Sequence, residues 1–329
     1  MLKYIIKRLA LAILILLGVS LIIYVLVRMM PVNFVQDKIN AMNQGGAQIP
    51  QETVDAMYEL YGLKDGSFLG VLRGYVSWLG ALLQGDLGTS FLYGHPVLDE
   101  IVENMGTSFA IAFIAIIFEY MIAIPLGVTA ATHQYSMRDY VVTILVMIGI
   151  SLPSFFFGRF LQNILAVQLG WFPIAGNLSG SGGTGITQFF DRIHHMILPI
   201  MVMVLLSIGG AMRYMRTNML EVLNSDYIRT ARAKGLSESK VIYKHAFRNT
   251  MIPIVTMMAG ILPTLFSGAM ITEQVFDLQG IGNIALKAMQ AGDIPFIMGY
   301  NMFIAMLSVI GVLLSDLMYA VVDPRVKLY

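Results

Sequence analysis

The stretch LALAILILLGVSLIIYVLVRMM, residues 9–30, decides the fold class of this chain. A helix of about 20 mostly apolar residues crosses the hydrocarbon core of a bilayer. This stretch has that length and contains a single charged residue, Arg28. Lys3, Lys7 and Arg8 precede it. The pattern therefore predicts a membrane-spanning helix that follows a short, positively charged segment.

Apolar runs of similar length recur along the rest of the chain. Five of them lie at residues 108–131, 140–169, 196–212, 252–275 and 296–322. Of the 329 residues, 57% are hydrophobic and only 12% are charged, a balance typical of membrane proteins. We therefore predict an all-α polytopic membrane protein with six transmembrane helices. Because Pro253, Gly260, Pro263 and Gly268 interrupt the fifth run, we expect that span to be bent.

Composition also narrows the chemistry that this chain can perform. The chain contains no cysteine, which excludes disulfides and thiolate chemistry, and its net charge of +1 gives no reason to expect a nucleic-acid partner. No Gly-Lys pair occurs anywhere, so the chain lacks the phosphate-binding loop of an ATPase. The adjacent His194 and His195 would point in different directions on a helix, so we predict no metal site.

The charges of the loops predict the orientation of the chain. Lys and Arg prefer cytoplasmic loops, and residues 213–251 hold eight of them, against nine acidic residues in the long segment 31–104. The predicted cytoplasmic segments are residues 1–8, 132–139, 213–251 and 323–329. Both termini are therefore expected on the cytoplasmic side.

Three regions follow from this topology. Residues 1–30 would contain the N-terminal cytoplasmic residues and the first span. Residues 31–104 would form an extracytoplasmic segment with short amphipathic helices, near residues 51–63 and 72–91, where apolar residues recur at helical spacing. Residues 105–329 would form a five-helix core that includes the cytoplasmic loop 213–251.

The stretch DYIRTARAKGLSESKVIYKHAFRN, residues 226–249, is unusually polar for this chain. Its spacing predicts a short helix with Tyr227, Ile228 and Ala231 on one face, a turn at Gly235, and a second helix capped near Ser237. Two interpretations remain open from the residues alone. One is a solvated basic loop that fixes topology or touches anionic lipid headgroups. The other is a docking element that enters a groove of a soluble partner.

Five segments resemble, in order, the permeases of oligopeptide/dipeptide ABC importers, the B-type membrane subunits of the peptide/nickel transporter family. They are MLKYIIKRLA (1–10), GDLGTSFLYGHPV (85–97), YIRTARAKGL (227–236), ITEQVFDLQGIGN (271–283) and YAVVDPRVKLY (319–329). The resemblance covers nearly the whole chain. It implies the transmembrane domain of a type I ABC importer, located in the cytoplasmic (inner) membrane of a bacterium or archaeon.

The same resemblance implies the partners of the chain. Two homologous permeases would stand side by side in the bilayer, with two ATPase subunits beneath them and a substrate-binding (lipo)protein outside. This chain would form half of the path for a peptide and would not itself be an enzyme. It would bind no cofactor, because ATP and Mg would be bound and used by the partner ATPases.

Site residues are implied by the segments that carry the resemblance. The ATPase-coupling set is Tyr227, Ile228, Arg229, Thr230, Ala231, Arg232, Ala233, Lys234, Gly235 and Leu236. The set for docking the binding protein is Gly85, Asp86, Leu87, Gly88, Thr89 and Ser90. In the wider importer family the coupling loop contains a Glu-Ala-Ala motif, with a glycine four residues after the second alanine. Here Ala231 and Gly235 keep that spacing, but Arg229 and Thr230 replace the first two residues, which argues against the ion pair that the glutamate would make.

Four ionisable residues lie within or near the predicted spans: Glu119, Arg159, Glu273 and Asp316. Such residues are costly in a bilayer and often functional. They either make buried polar contacts, with Glu119 and Arg159 as one candidate pair, or contact the sister permease, or line a path for a zwitterionic peptide. Glu273, near the outer end of the fifth span, is the best candidate for a gate or for the face that meets the binding protein.

Two alternatives to a peptide permease remain at this point. The same architecture would serve an importer of nickel, glutathione or glycosides, because substrate choice is made largely by the binding protein. The other alternative is a secondary carrier driven by an ion gradient without ATP. Matching inverted halves would favour that carrier, and the sequence shows none.

Overall fold

The computed structural model describes residues 2–28, 68–176 and 185–322. Within these ranges all regular elements are helices, apart from one isolated β-bridge between Thr89 and Pro96, which confirms the all-α prediction. The expected helix at 51–63 and the tail 323–329 lie outside the described residues.

The helices are α1 (Leu2–Arg28), α2 (Phe68–Leu83), α3 (Val97–Thr132), α4 (Met137–Ser151), α5 (Ser154–Leu161), α6 (Ile186–Leu223), α7 (Asp226–Ala233), α8 (Glu238–Lys240), α9 (Phe247–Ala259), α10 (Leu262–Ser267), α11 (Met270–Val275), α12 (Ile281–Ala291) and α13 (Ile294–Val322). Two π-helical segments, Gln162–Gln168 and Val241–Ala246, continue α5 and α8.

Four of the described helices, α1, α3, α6 and α13, are long and apolar enough to cross a bilayer. A fifth span is obtained if α4 and α5 are counted together, although they meet at 101°. The bend has a local cause: Pro153 restricts Leu152 to an extended conformation, which ends α4. The count of six spans and the cytoplasmic termini remain predictions.

The predicted fifth span is interrupted, whereas its bending stays a prediction. It is divided among α9, α10 and α11. Gly268 ends α10 with a φ of +73°, a conformation that other residues rarely adopt, and Pro263 lies in the first turn of α10. These residues interrupt a run that apolarity alone would make continuous.

By internal contacts the chain divides into two compact units. One comprises Met1–Asn104 and Ile284–Val309, and the other comprises Met105–Asn283 and Ile310–Tyr329. In the first unit, the buried Tyr24 of α1 lies 5.5 Å from Tyr75 and 6.0 Å from Trp78 of α2, measured between ring centroids. The Ser20 and Tyr75 hydroxyls are hydrogen-bonded at 2.8 Å. These contacts attach α2 to α1.

In the second unit, small residues let the long helices pack closely. A Cβ on Gly127 of α3 would lie 2.7 Å from the Met215 Cβ and 2.9 Å from the Met212 carbonyl oxygen of α6. A Cβ on Gly149 of α4 would lie 2.8 Å from the Leu205 carbonyl oxygen. Because hydrocarbon solvates apolar side chains well, close van der Waals packing of this kind is a main source of helix association in membranes.

We expect Gly127→Ala to destabilise the second unit. The new methyl group would overlap backbone and Cβ atoms of α6, which cannot rotate away, and overpacking costs about 1–3 kcal/mol. Gly210 on α6 is the matched control, because a Cβ there meets nothing within 4 Å. The thermal midpoint of the purified protein should fall for Gly127→Ala and stay level for Gly210→Ala. Equal thermal midpoints in the two variants would contradict the close approach of α3 to α6.

Candidate functional site

The short helix α7 is anchored on one side. Ile228 is fully buried, with 0% of its surface exposed, and Ala231 is also buried. Both belong to the same buried cluster as Met215 and Met219 of α6, and Leu236 packs partly buried against that cluster. An apolar pair at spacing three places both side chains on one helix face. This face fixes α7 to the core of the second unit.

The rest of α7 faces outward. The exposed members of the predicted coupling set are Tyr227, Arg229, Thr230, Arg232, Ala233, Lys234 and Gly235. Tyr227 was expected to share the face of Ile228 and Ala231, and that expectation is wrong: its side chain is 45% exposed. Its hydroxyl accepts a hydrogen bond from Asn249 Nδ2 at 3.0 Å. Successive helical residues point about 100° apart, so Tyr227 lies at the edge of the face that buries Ile228, where it contacts Asn249 and remains exposed.

The predicted turn after α7 is confirmed. Gly235 adopts a φ of +76°, which favours glycine, and Ser237 occupies the N-cap position of α8. Across this turn the Arg232 guanidinium holds the Glu238 carboxylate, with Nη2 donating to Oε1 at 2.6 Å and Nε to Oε1 at 3.2 Å. The hydrogen bond lowers the pKa of Glu238 and raises the pKa of Arg232.

The Arg232–Glu238 ion pair was not anticipated from the sequence. Both side chains are largely exposed, so water screens the pair and its contribution to stability is small. Its geometric role is larger, because a two-point contact restricts the angle between α7 and α8. The only available sequence signal was opposite charges on either side of Gly235. At the position of the wider family's glutamate, Arg229 makes only a loose, exposed contact with Asp226, at 3.6 Å.

The motif from Gly85 to Ser90 forms a compact loop in the first unit. Gly85 and Gly88 have positive φ values of 82° and 85°, and the Asp86 carboxylate accepts a hydrogen bond from the Gly88 N–H at 2.8 Å. Asp86, Thr89 and Gly85 are exposed, whereas Leu87 and Ser90 are buried. The motif therefore has an outward side and an anchoring side.

Asp293 holds the anchoring side in place. Its carboxylate accepts hydrogen bonds from the Ser90 hydroxyl at 2.5 Å, the Leu92 N–H at 3.0 Å and the Phe296 N–H at 3.2 Å. The last bond caps the start of α13. Asp293 is fully buried, and sequence reasoning missed it. An aspartate just before the helix start Ile294 was a readable capping signal.

A second buried carboxylate, Glu273, lies at the centre of a network in the second unit. It is 1% exposed. It accepts hydrogen bonds from the Ser108 hydroxyl at 2.7 Å, the Ala269 N–H at 3.0 Å and the Asn283 N–H at 2.9 Å. The Ser108 oxygen in turn accepts the Ile281 N–H at 2.9 Å. The network ties α3, at Ser108, to both ends of the segment 269–283.

Three glycines make room for this network. A Cβ on Gly280 would lie 2.5 Å from a Glu273 carboxylate oxygen, and one on Gly282 would lie 2.8 Å from the Met270 nitrogen. A Cβ on Gly268 would overlap the Gly282 backbone. These are positions where one backbone segment approaches another too closely for a side chain. Close packing thus explains why the segment ITEQVFDLQGIGN has glycine at positions 280 and 282.

The remaining predicted residues are dispersed in the second unit. Arg159 donates from Nη1 to the Gln162 side-chain oxygen at 2.8 Å, and the buried Gln162 amide donates to the Ile174 carbonyl. Glu119 is half-buried on α3, and Asp316 is half-buried on α13. Among the described residues no ion pair joins Glu119 to Arg159, so the suggested pairing is wrong. Arg159 donates to a neutral neighbour instead.

The two adjacent histidines make separate contacts. His194 Nε2 donates to the Trp171 carbonyl at 2.9 Å, and the buried His195 Nδ1 donates to the Asp191 carbonyl at 2.9 Å. Within residues 2–28, 68–176 and 185–322, no group of three His, Asp or Glu side chains is placed to hold a metal ion.

With this geometry in hand, comparison with known proteins assigns the family. Residues 123–328 match the family described as the binding-protein-dependent transport system inner membrane component. This chain belongs to that family. The matched region contains α7, the Arg232–Glu238 pair and Glu273 with its partners Ala269 and Asn283, but not Ser108. Membership makes the chain a membrane subunit of a transport system.

Relatives in this transport family match over almost their whole length. The chain is 38% identical to the oligopeptide transport system permease protein AppB of Bacillus subtilis (strain 168), covering 99% of this chain and 100% of that one. It is 32% identical to the dipeptide transport system permease protein DppB of Escherichia coli (strain K12), covering 99% of each. The predicted resemblance is thereby confirmed.

A solved structure shows the same fold. An inward-facing form of the MetNI methionine ABC transporter matches with a TM-score of 0.54 at 16% identity, covering 69% of this chain and 97% of that chain. At such low identity the likeness shows the fold alone. That fold is the transmembrane domain of a type I ABC importer, as predicted.

Proposed function

We propose that this chain is the permease subunit of an ATP-driven peptide importer. It forms half of the translocation path for oligopeptides or dipeptides that an extracytoplasmic binding protein delivers. The proposal is supported by full-length similarity to permeases named for oligopeptide and dipeptide transport. The chain works in the cytoplasmic membrane of a bacterium or archaeon, beside a second homologous permease.

The observation that carries the coupling step is the two-sided placement of α7. Its exposed face, around Tyr227, Thr230 and Ala233, is available to a groove on a partner ATPase. Its buried face, Ile228 and Ala231, shares a cluster with α6. A displacement of the ATPase, which binds and hydrolyses ATP with Mg, would therefore pass through α7 into a long apolar helix.

The loop at residues 85–90 is proposed to meet the binding protein. Asp86 and Thr89 are exposed and can contact a partner, whereas Leu87 and Ser90 are buried and hold the loop shape. Asp293 anchors this shape from beneath. In this division of roles, the exposed residues recognise the partner and the buried ones position them.

Glu273 is proposed to support a gate without contacting the substrate. Its enclosure by Ser108, Ala269 and Asn283 leaves no carboxylate surface for a peptide. It instead fixes the conformation of the segment that follows the interrupted fifth run. Glu119, Arg159 and Asp316, which are less enclosed, are the candidates for lining the path.

Co-purification tests this function. The tagged full chain is extracted in mild detergent, and the proteins that accompany it are identified by mass spectrometry. We expect a second permease and one or two kinds of ATPase. A co-purifying binding protein, analysed for its bound substrate, would separate peptides from nickel, glutathione or glycosides. An intact chain recovered alone or as a homodimer would contradict the proposal and favour the ion-driven carrier.

A further inference from the structure

A cavity of about 330 Å³ lies between the start of α4 and the last third of α6. Tyr135, Asp139 and Tyr140 line it from the turn before α4 and from its first turn, and Arg213 and Arg216 line it from α6. The cavity is therefore at the end of the second unit where α6 leads into α7. None of the residues singled out for coupling, docking or gating lines it.

An ion pair between Asp139 and Arg216 forms one wall of the cavity. Arg216 donates from Nε to Asp139 Oδ1 at 2.9 Å and from Nη2 to Oδ2 at 2.8 Å. Asp139 is 4% exposed, and its oxygens also accept the Tyr135 N–H at 3.0 Å. The paired charges of Asp139 and Arg216 cancel, and both carboxylate oxygens are occupied.

The second cation of the cavity has no such partner. Arg213 lies three residues before Arg216 on the same helix and is exposed. Its Nη2 contacts the Met147 sulfur at 3.2 Å, and a thioether is only a weak acceptor. No carboxylate within the described part of the chain lies at ion-pair distance from Arg213. The three charged side chains therefore leave a net positive charge and unused guanidinium donors.

The cavity continues into an apolar surface. Val146, Met147 and Met212 also line it. Ile144 and Ile148 follow the lining residue Tyr140 at a spacing of four on α4, so they share its helix face, and both are exposed. A cation above a hydrocarbon surface at the end of a membrane-protein helix matches the two parts of a phospholipid. A soluble anion would use the charge and leave the apolar surface uncovered.

The turn before α4 supplies a further observation. Tyr135 has a φ of +62°, a conformation that is strained for a bulky residue. The hydrogen bond from its N–H to Asp139 holds this conformation. The result is that two exposed tyrosines, Tyr135 and Tyr140, border the opening of the cavity. Tyrosine is enriched where membrane meets water, because its ring is apolar and its hydroxyl polar.

We propose that this cavity binds an anionic phospholipid. The headgroup phosphate is held by Arg213, with the two tyrosine hydroxyls beside it, and an acyl chain lies along the exposed apolar face of α4. The ion pair of Asp139 and Arg216 shapes the site and is not its ligand. The site lies about two helical turns before the end of α6, so an occupying lipid would brace the part of α6 that leads to α7.

Native mass spectrometry of the purified full chain tests the site. Delipidated protein is titrated with phosphatidylglycerol and, separately, with the zwitterionic phosphatidylcholine. The variants are Arg213→Gln, Arg213→Lys and, as a control, Arg229→Gln, which removes a charge that is also exposed, from α7. We expect Arg213→Gln to weaken phosphatidylglycerol binding about tenfold, because the charge-assisted hydrogen bond between the guanidinium and the lipid phosphate is lost. Arg213→Lys should retain most binding, and Arg229→Gln should retain all of it.

Three results would overturn the proposal. One is equal binding of the two lipids by the unmodified chain. Another is an equal loss of binding in Arg213→Gln and Arg229→Gln, which would indicate a diffuse effect of charge. The third is displacement of the lipid by millimolar inorganic phosphate, which would assign the cavity to a small anion. Arg213 is exposed, so unchanged thermal midpoints are expected to show that the variants fold.

Discussion

An Ala233→Pro substitution is expected to reduce ATP-dependent uptake to background in a complex that still assembles. Proline at this position removes a backbone N–H from α7 and clashes with the carbonyl four residues earlier, at a cost of about 3 kcal/mol in a helix interior. It also disfavours the helical conformation of Arg232, the preceding residue, and Arg232 holds Glu238 across the turn. A helix of eight residues has little stability of its own to resist this.

The matched control is Ala233→Ser, which changes the same exposed position without breaking the backbone pattern. Uptake of a radiolabelled peptide and the stimulation of ATP hydrolysis by the loaded binding protein are measured on the same preparations. We expect both to be near normal in Ala233→Ser and both to be lost in Ala233→Pro. Normal uptake by an assembled Ala233→Pro complex would rule out α7 as the coupling element.

The second large effect is expected from Glu273→Ala. Removing the carboxylate leaves the Ser108 hydroxyl and the Ala269 and Asn283 N–H groups without their acceptor in a buried site. Each orphaned donor costs about 1–3 kcal/mol, so the loss should reach about 3 kcal/mol or more. We expect a lower thermal midpoint, faster proteolysis within residues 268–283 and loss of uptake.

Glu273→Gln and Gln274→Ala complete that test. The amide keeps one acceptor oxygen but places an NH₂ group against the remaining N–H donors, so its stability should be intermediate. Gln274 is the exposed neighbour of Glu273, and its truncation should change nothing. If Glu273→Ala kept the normal midpoint and normal proteolysis, the network would not hold this segment. A normal midpoint with altered substrate selectivity would instead place Glu273 in the path.

Local signals in the sequence predicted the polar segment well. The glycine turn at 235 and the helix start after Ser237 depend on signals that act within a few residues, and both occur in the structure, although the Ser237 side chain makes no capping hydrogen bond. The orientation of Tyr227 was predicted wrongly, since an aromatic residue at the edge of an apolar face suits either side. The Arg232–Glu238 pair depends on the angle of the turn, which sequence spacing does not fix.

Long-range features were the least predictable. Two of the three partners of Asp293, Ser90 and Leu92, come from a segment about two hundred residues earlier in the chain, and no periodicity connects them to it. The 101° break between α4 and α5 was missed because the apolar run continues through Pro153. By contrast, the break at Gly268 was expected, since several interrupters lie close together there. Hydropathy thus predicts apolar runs better than it predicts whether each run is one straight helix.

The two buried carboxylates suggest a common design in this permease. Asp293 supports the loop at residues 85–90, and Glu273 supports the segment at 269–283, each by accepting three hydrogen bonds from neutral donors. Backbone N–H groups that lack a regular partner must be satisfied by other acceptors when they are buried. The carboxylates therefore permit irregular backbone next to long helices.

Uptake by the reconstituted complex tests the central claim most directly. The chain is co-purified with its partners and reconstituted into proteoliposomes that contain ATP and Mg. The peptide-loaded binding protein is added outside, and ionophores collapse any ion gradient. An ATP-driven importer should accumulate peptide under these conditions, and accumulation should stop when ATP or the binding protein is omitted. Accumulation that needs an imposed ion gradient and proceeds without ATP would contradict the account.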